Sequence, residues 1–127
     1  MKNTPPPPDI VLLAPEWQPR ALLRAQLIEE GFDVLATDTW TTMQRYLRPD
    51  SKPALAIVDL QGLPEPDRVL NDLKVLMKPH RVLVLTALGT LTPDQVHALG
   101  FRAVDRPIEI GSVVAAAASA IKEEGGR

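Results

Sequence analysis

Cysteine is absent from the 127 residues, which excludes a disulfide framework and any thiolate metal site. Histidine is scarce: His80 and His97 are the only two, too few for a histidine-rich metal centre. Aromatic residues make up 4% of the chain. No apolar run approaches the roughly 20 residues of a membrane span, so no membrane association is expected. The opening stretch MKNTPPPPD lacks the apolar core of roughly 7–15 residues found in a secretory signal, and a cytoplasmic location is the expectation. Excess charge is lacking too. Fourteen basic against sixteen acidic residues leave a net charge of −2 without a basic block, so no direct nucleic-acid contact is expected.

Proline is plentiful, with 13 residues, and hydrophobic residues reach 45%, enough for the core of one ordinary domain. Pro5–Pro8 read as an extended, solvated leader. The division is then a proline-rich leader over 1–8, one domain over 9–124, and a short tail over 125–127.

Within the domain, short apolar runs alternate with helical patterns. DIVLLA (9–14), DVLAT (33–37), ALAIVD (54–59), RVLVLT (81–86) and RAVD (102–105) are brief and continuously apolar, as strands buried on both faces are. Pro19 is read as the first residue of a helix that closes at Gly31. Trp40, Met43 and Leu47 form one core stripe, and Val69, Leu70, Leu73 and Leu76 another. TPDQVHALG carries a complete helix instruction: Thr92 as N-cap, Pro93 next, Gln95 closing a capping box and Gly100 as terminator. The last segment places Ile110, Val113, Val114, Ala117 and Ile121 on one buried stripe, leaving Ala115, Ala116, Ala118 and Ser119 outward or on the flank.

Five strand–helix units predict a three-layer, doubly wound α/β domain with a parallel sheet and right-handed crossovers. Sites in such sheets lie at the carboxyl ends of the strands, near the point where strand order reverses. The residues delivered there are Ala14, Pro15 and Glu16, then Asp59, then Thr86 and Ala87, then Arg106 and Pro107. An acid, a hydroxyl and a base converge from three strands.

In the order and spacing of IVDLQGLP, VLVLTALG and VDRPI, the chain resembles the receiver domain of two-component response regulators over nearly all of residues 9–123. The resemblance implies a flavodoxin-like sheet of order 2-1-3-4-5. It puts Asp59 at the phosphoacceptor position, Thr86 and Arg106 at the phosphoryl-contact positions, and the Gln61 carbonyl in the metal shell. The departures weigh more. Ala14 and Pro15 stand where the family carries a pair of acids, and only Glu16 follows. Mg²⁺ requires near-octahedral oxygen ligands, and phosphoryl transfer relies on it to neutralise developing charge. Arg106 replaces a lysine, and a planar guanidinium suits clamping the Asp59 carboxylate. Ala103 stands where receivers usually carry an aromatic reporter, and the segment from Gly100 to Arg106 is about one residue shorter than usual.

The resulting expectation is a pseudo-receiver: a phosphorylation-independent interaction module in bacterial signalling that is not an enzyme and needs no cofactor. The alternative is a working phosphoacceptor at Asp59 with a weakened Mg²⁺ site. Expected partners are a histidine kinase, an output protein, or a second copy through the fourth helix, fifth strand and fifth helix, with Ala115, Ala116, Ala118 and Ser119 on that face. A nucleotide-binding reading is disfavoured, because the first strand–helix loop, APEWQP, has no glycine to let backbone N–H groups approach a phosphate.

Overall fold

The computed structural model describes residues 6–50 and 52–125, so Pro5 and the earlier part of the leader fall outside it. Strands β1 (Ile10–Leu13), β2 (Val34–Thr37), β3 (Leu55–Asp59), β4 (Val82–Leu85) and β5 (Arg102–Val104) form one parallel sheet of order β2-β1-β3-β4-β5. Between them run α1 (Trp17–Glu29), α2 (Trp40–Gln44), α3 (Pro66–Leu76) and α4 (Pro93–Ala98), with α5 (Ile110–Gly125) last; a short 3₁₀ turn, Pro79–Arg81, leads into β4. This is the flavodoxin-like arrangement expected of the sequence.

The layering follows from the two-residue period of the strands. Val11, Leu13, Ala56, Val58, Val82 and Val84 face one core, which α2, α3 and α4 close with Met43, Val69, Leu70, Leu73 and Val96. Ile10, Leu12, Leu55, Ile57, Leu83 and Leu85 face the other, closed by Leu23 and Leu27 of α1 and Val113, Val114 and Ala117 of α5. Both faces of the central strands are thereby buried, the reason their sequences read as unbroken apolar runs. Asp59 falls on the parity of Leu55 and Ile57, so its carboxylate belongs to the side of the sheet covered by α1 and α5.

Several boundaries differ from the sequence reading. Helix α1 begins two residues earlier, at Trp17, and Pro19 is its third residue. A proline fits there as well, because the N–H groups of the whole first turn lack intrahelical acceptors. In α5 the buried stripe is Val113, Val114, Ala117 and Ala120, while Ile110 and Ile121 are only half-buried against it. Ala116, assigned to the outward face, packs against this core, and Ala118 is half-buried; only Ala115 and Ser119 of that set are exposed. Trp40, read as core, is half-buried, with its body on the core and part of its surface on a cleft.

The α4 instruction is realised in full. The Thr92 side chain accepts from the Gln95 N–H at 3.2 Å and the Gln95 side chain accepts from the Thr92 N–H at 2.8 Å, while Gly100 ends the segment at φ +94°. Helix α4 has only six residues, so its termini hold most of its backbone groups. Thr92→Ala should therefore destabilise the domain by about 1 kcal/mol in urea unfolding, whereas an unchanged midpoint would mean that packing of Val96 alone holds the helix.

Candidate functional site

The carboxyl end of the sheet brings the sequence-derived residues together because β1, β3 and β4 are adjacent and end level with one another. The Leu60 N–H donates to the Leu85 carbonyl at 2.9 Å and the Thr86 N–H to the Val104 carbonyl at 3.0 Å, extending the ladder past the last strand residues. Asp59 and Thr86 are thereby fixed by backbone, and both are almost fully buried, with 2% and 1% of their surfaces exposed.

Asp59 is held by two donors on the same oxygen. The Arg106 guanidinium donates through Nη2 to Asp59 Oδ1 at 2.5 Å, and the Gln61 N–H donates to that oxygen at 3.0 Å. Gln61 thus meets the aspartate through its amide. Thr86 turns to the neighbouring residue of the β5–α5 loop, its hydroxyl donating to Asp105 Oδ1 at 2.5 Å. Two consecutive residues, Asp105 and Arg106, therefore engage Thr86 and Asp59, and the hydroxyl and the acid are each tied to the β5–α5 loop instead of to each other. The Arg106–Pro107 peptide is cis.

Burial pushes the Asp59 carboxyl above its ordinary value of 3.8. Desolvation outweighs the Gln61 N–H and the Arg106 charge and hydrogen bond, all of which lower it, and the nearby Glu16 charge adds to the rise. In the unfolded chain Asp59 keeps its ordinary value, so the folded state binds the proton more tightly. Ionising Asp59 accordingly costs stability, and that cost grows as pH rises from 3.8 through the raised folded value.

The end of β1 is also closed. Ala14 and Pro15 bring no side-chain oxygen, and their carbonyls accept from Arg20 Nη1 at 2.7 and 3.3 Å. Glu16 is exposed and lies over the β3–α3 loop, where a Cβ on Gly62 would meet its Cγ at 3.5 Å. A receiver-type Mg²⁺ does not fit this donor set. One oxygen of the single buried carboxylate is taken by Arg106 and Gln61, and two carbonyls are taken by Arg20. Among the described residues no group of three or more His, Cys, Asp or Glu side chains is arranged to hold a metal.

The sequence reading missed two of these residues. Asp105 was visible in VDRPI, where an acid directly before Arg106 signals a second polar contact from the same loop. Arg20 carried no such signal, since an arginine in the first turns of a helix reads as solvated.

Neither a family model nor a curated protein matches the sequence. Solved structures do. The fold is that of response-regulator receiver domains of the CheY-like type. A response regulator receiver domain protein from Clostridium thermocellum superposes with a TM-score of 0.78 at 20% identity, over 91% of this chain and 95% of that one. A CheY-like receiver domain protein from Methanospirillum hungatei gives 0.76 at 16% identity, over 92% and 95%. NtrX from Brucella abortus gives 0.76 at 20% identity, over 94% of this chain and 28% of its own, so the match covers about a quarter of that longer protein.

Removing the clamp generates a test whose sign depends on pH. Arg106→Ala leaves a buried carboxylate without its counter-charge, and the expected loss at neutral pH is roughly 1–3 kcal/mol. Below the Asp59 titration the carboxyl is protonated and needs no counter-charge, so the loss should shrink. Urea unfolding of both proteins across the acid range checks this, and a loss that stays constant or grows toward low pH would contradict the ion pair.

Proposed function

We propose that the domain is an atypical receiver that works in bacterial signal transduction as a phosphorylation-independent interaction module. The observation that supports this reading is the double engagement of the β5–α5 loop, with Arg106 on Asp59 and Asp105 on Thr86. In a phosphoacceptor the aspartate must offer a free oxygen to an incoming phosphoryl group, and the hydroxyl must be free to meet it. Here one oxygen of Asp59 is held by the Arg106 guanidinium and the Gln61 N–H, and the Thr86 hydroxyl is turned to Asp105. The Asp59–Arg106 pair has the geometry of charge-assisted contacts, which are the stronger class of hydrogen bond.

The mechanism is then one of presentation. The closed end holds the β4–α4 and β5–α5 loops in one arrangement, and a partner reads that fixed surface. The β4–α4 loop is itself braced, with the Thr90 hydroxyl donating to the Ala87 carbonyl at 2.7 Å, while Leu88 projects 97% exposed. The expected partner is a histidine kinase, an output protein, or a second copy of the chain through the face of α4, β5 and α5. The outward part of α5 on that face is narrower than the sequence suggested, comprising Ala115 and Ser119.

The second reading, phosphorylation of Asp59, draws on the placement of an acid at the end of β3 with Gln61 beside it and a hydroxyl at the end of β4. The two readings separate in one experiment. With Mg²⁺ and acetyl phosphate, the intact mass should remain that of the unmodified chain. A single phosphoryl adduct that is absent from Asp59→Asn would establish the second reading and overturn the first.

A further inference from the structure

A cleft lies away from the Asp59 pair, on the α2 and α3 side of the carboxyl end of the sheet. It measures about 550 Å³, inside the span of roughly 300–1,000 Å³ usual for small-molecule sites. Its place is set by topology. The strand order reverses between β1 and β3, and parallel sheets open a crevice at such a switch point. Pro15 follows β1 on one side of this crevice and the 62–65 loop follows β3 on the other, while the 38–41 segment after β2 completes the wall.

The walls are firm. Thr39 caps α2, its hydroxyl oxygen accepting from the Thr42 N–H at 3.2 Å, and Thr37 Oγ1 accepts from the Thr39 N–H at 3.4 Å. Opposite, the Leu63 N–H donates to the Leu60 carbonyl at 3.1 Å, and Leu63 is buried. The lining combines two features that suit one kind of ligand. Trp40 offers an indole whose far side is anchored in the core, and three carboxylates, Asp38, Glu65 and Asp72, stand against a single guanidinium, Arg68. That guanidinium is itself drawn to Glu65, at 3.8 Å.

We propose that this cleft binds a small organic cation, with a quaternary ammonium or guanidinium group set over Trp40 and the carboxylates of Asp38 and Asp72 supplying the opposite charge. An indole face attracts such cations through its quadrupole, and an excess of carboxylates repels phosphates and other anions. Alkylated ammonium groups are favoured over a bare metal ion, because they are weakly hydrated and gain from apolar contact with Trp40, Leu63 and Val69. The site is separate from the Asp59–Arg106 pair, so the inference stands whether or not Asp59 accepts phosphate.

The probe is choline, titrated into the Trp17→Phe protein so that Trp40 gives the one indole N–H signal in NMR. The expected result is a saturable shift of that signal, absent for the neutral analogue in which carbon replaces the nitrogen and absent for Mg²⁺. Asp38→Asn combined with Asp72→Asn should weaken binding by at least about tenfold, corresponding to about 1.4 kcal/mol. Asp38 is exposed and Asp72 half-buried, neither belongs to the core, and the asparagines keep the side-chain shape, so this variant should keep the wild-type fold. Trp40→Leu should abolish binding, and because Trp40 also packs on the core, the paired aspartate variant carries the decision if that protein fails to fold. No saturable shift, equal binding of the neutral analogue, an equal response to Mg²⁺, or undiminished binding in the doubly neutralised variant would each overturn the proposal.

Discussion

The contact on which the site depends is the charged hydrogen bond from Arg106 to the buried Asp59. A carboxylate with 2% of its surface exposed cannot remain ionised at low cost without a partner. In the receiver architecture a metal ion and a lysine would share that task. Here one guanidinium takes it on directly, and the Gln61 amide supplies a second donor to the same oxygen. The consequences spread to neighbouring residues. Because Arg106 is drawn onto Asp59, the β5–α5 loop lies against the ends of β3 and β4, and Asp105 is placed to receive the Thr86 hydroxyl.

Arg20 completes the picture at the other edge. The carbonyls of Ala14 and Pro15 are acceptors at the end of a strand whose residues are wholly buried, and they need a donor. A guanidinium from the second turn of α1 provides one. The carboxyl end of the sheet therefore contains two guanidinium groups held by local oxygen atoms, Arg106 on Asp59 and Arg20 on the Ala14 and Pro15 carbonyls. Burial still raises the Asp59 carboxyl above its ordinary value, so the clamp compensates desolvation only in part.

Much of the fold could be read from the sequence because its signals were local. Continuous apolar runs between helical patterns identified β1 to β5, and Thr92 with Gln95 and Gly100 fixed α4 to the residue. The start of α1 was legible only approximately, since a proline fits several positions in a first turn. The side-chain partners of Thr86 and of the β1 carbonyls were not legible, because Asp105 and Arg20 reach them through loop and helix geometry that no spacing rule encodes. Trp40 shows the same limit: periodicity places it toward the core, and only the packed structure reveals the part of its surface that faces the cleft at the switch point.

The central claim is that Arg106 on Asp59, together with Ala14 and Pro15 in place of acids, leaves no receiver-type metal site. Its most direct test is a titration with millimolar Mg²⁺ followed by NMR at the Gln61 amide and the Asp59 and Glu16 carboxyl carbons. The account predicts no saturable change at these nuclei beyond the effect of ionic strength. Saturable shifts confined to Glu16, Asp59 and Gln61 would show that a metal binds there and would contradict it.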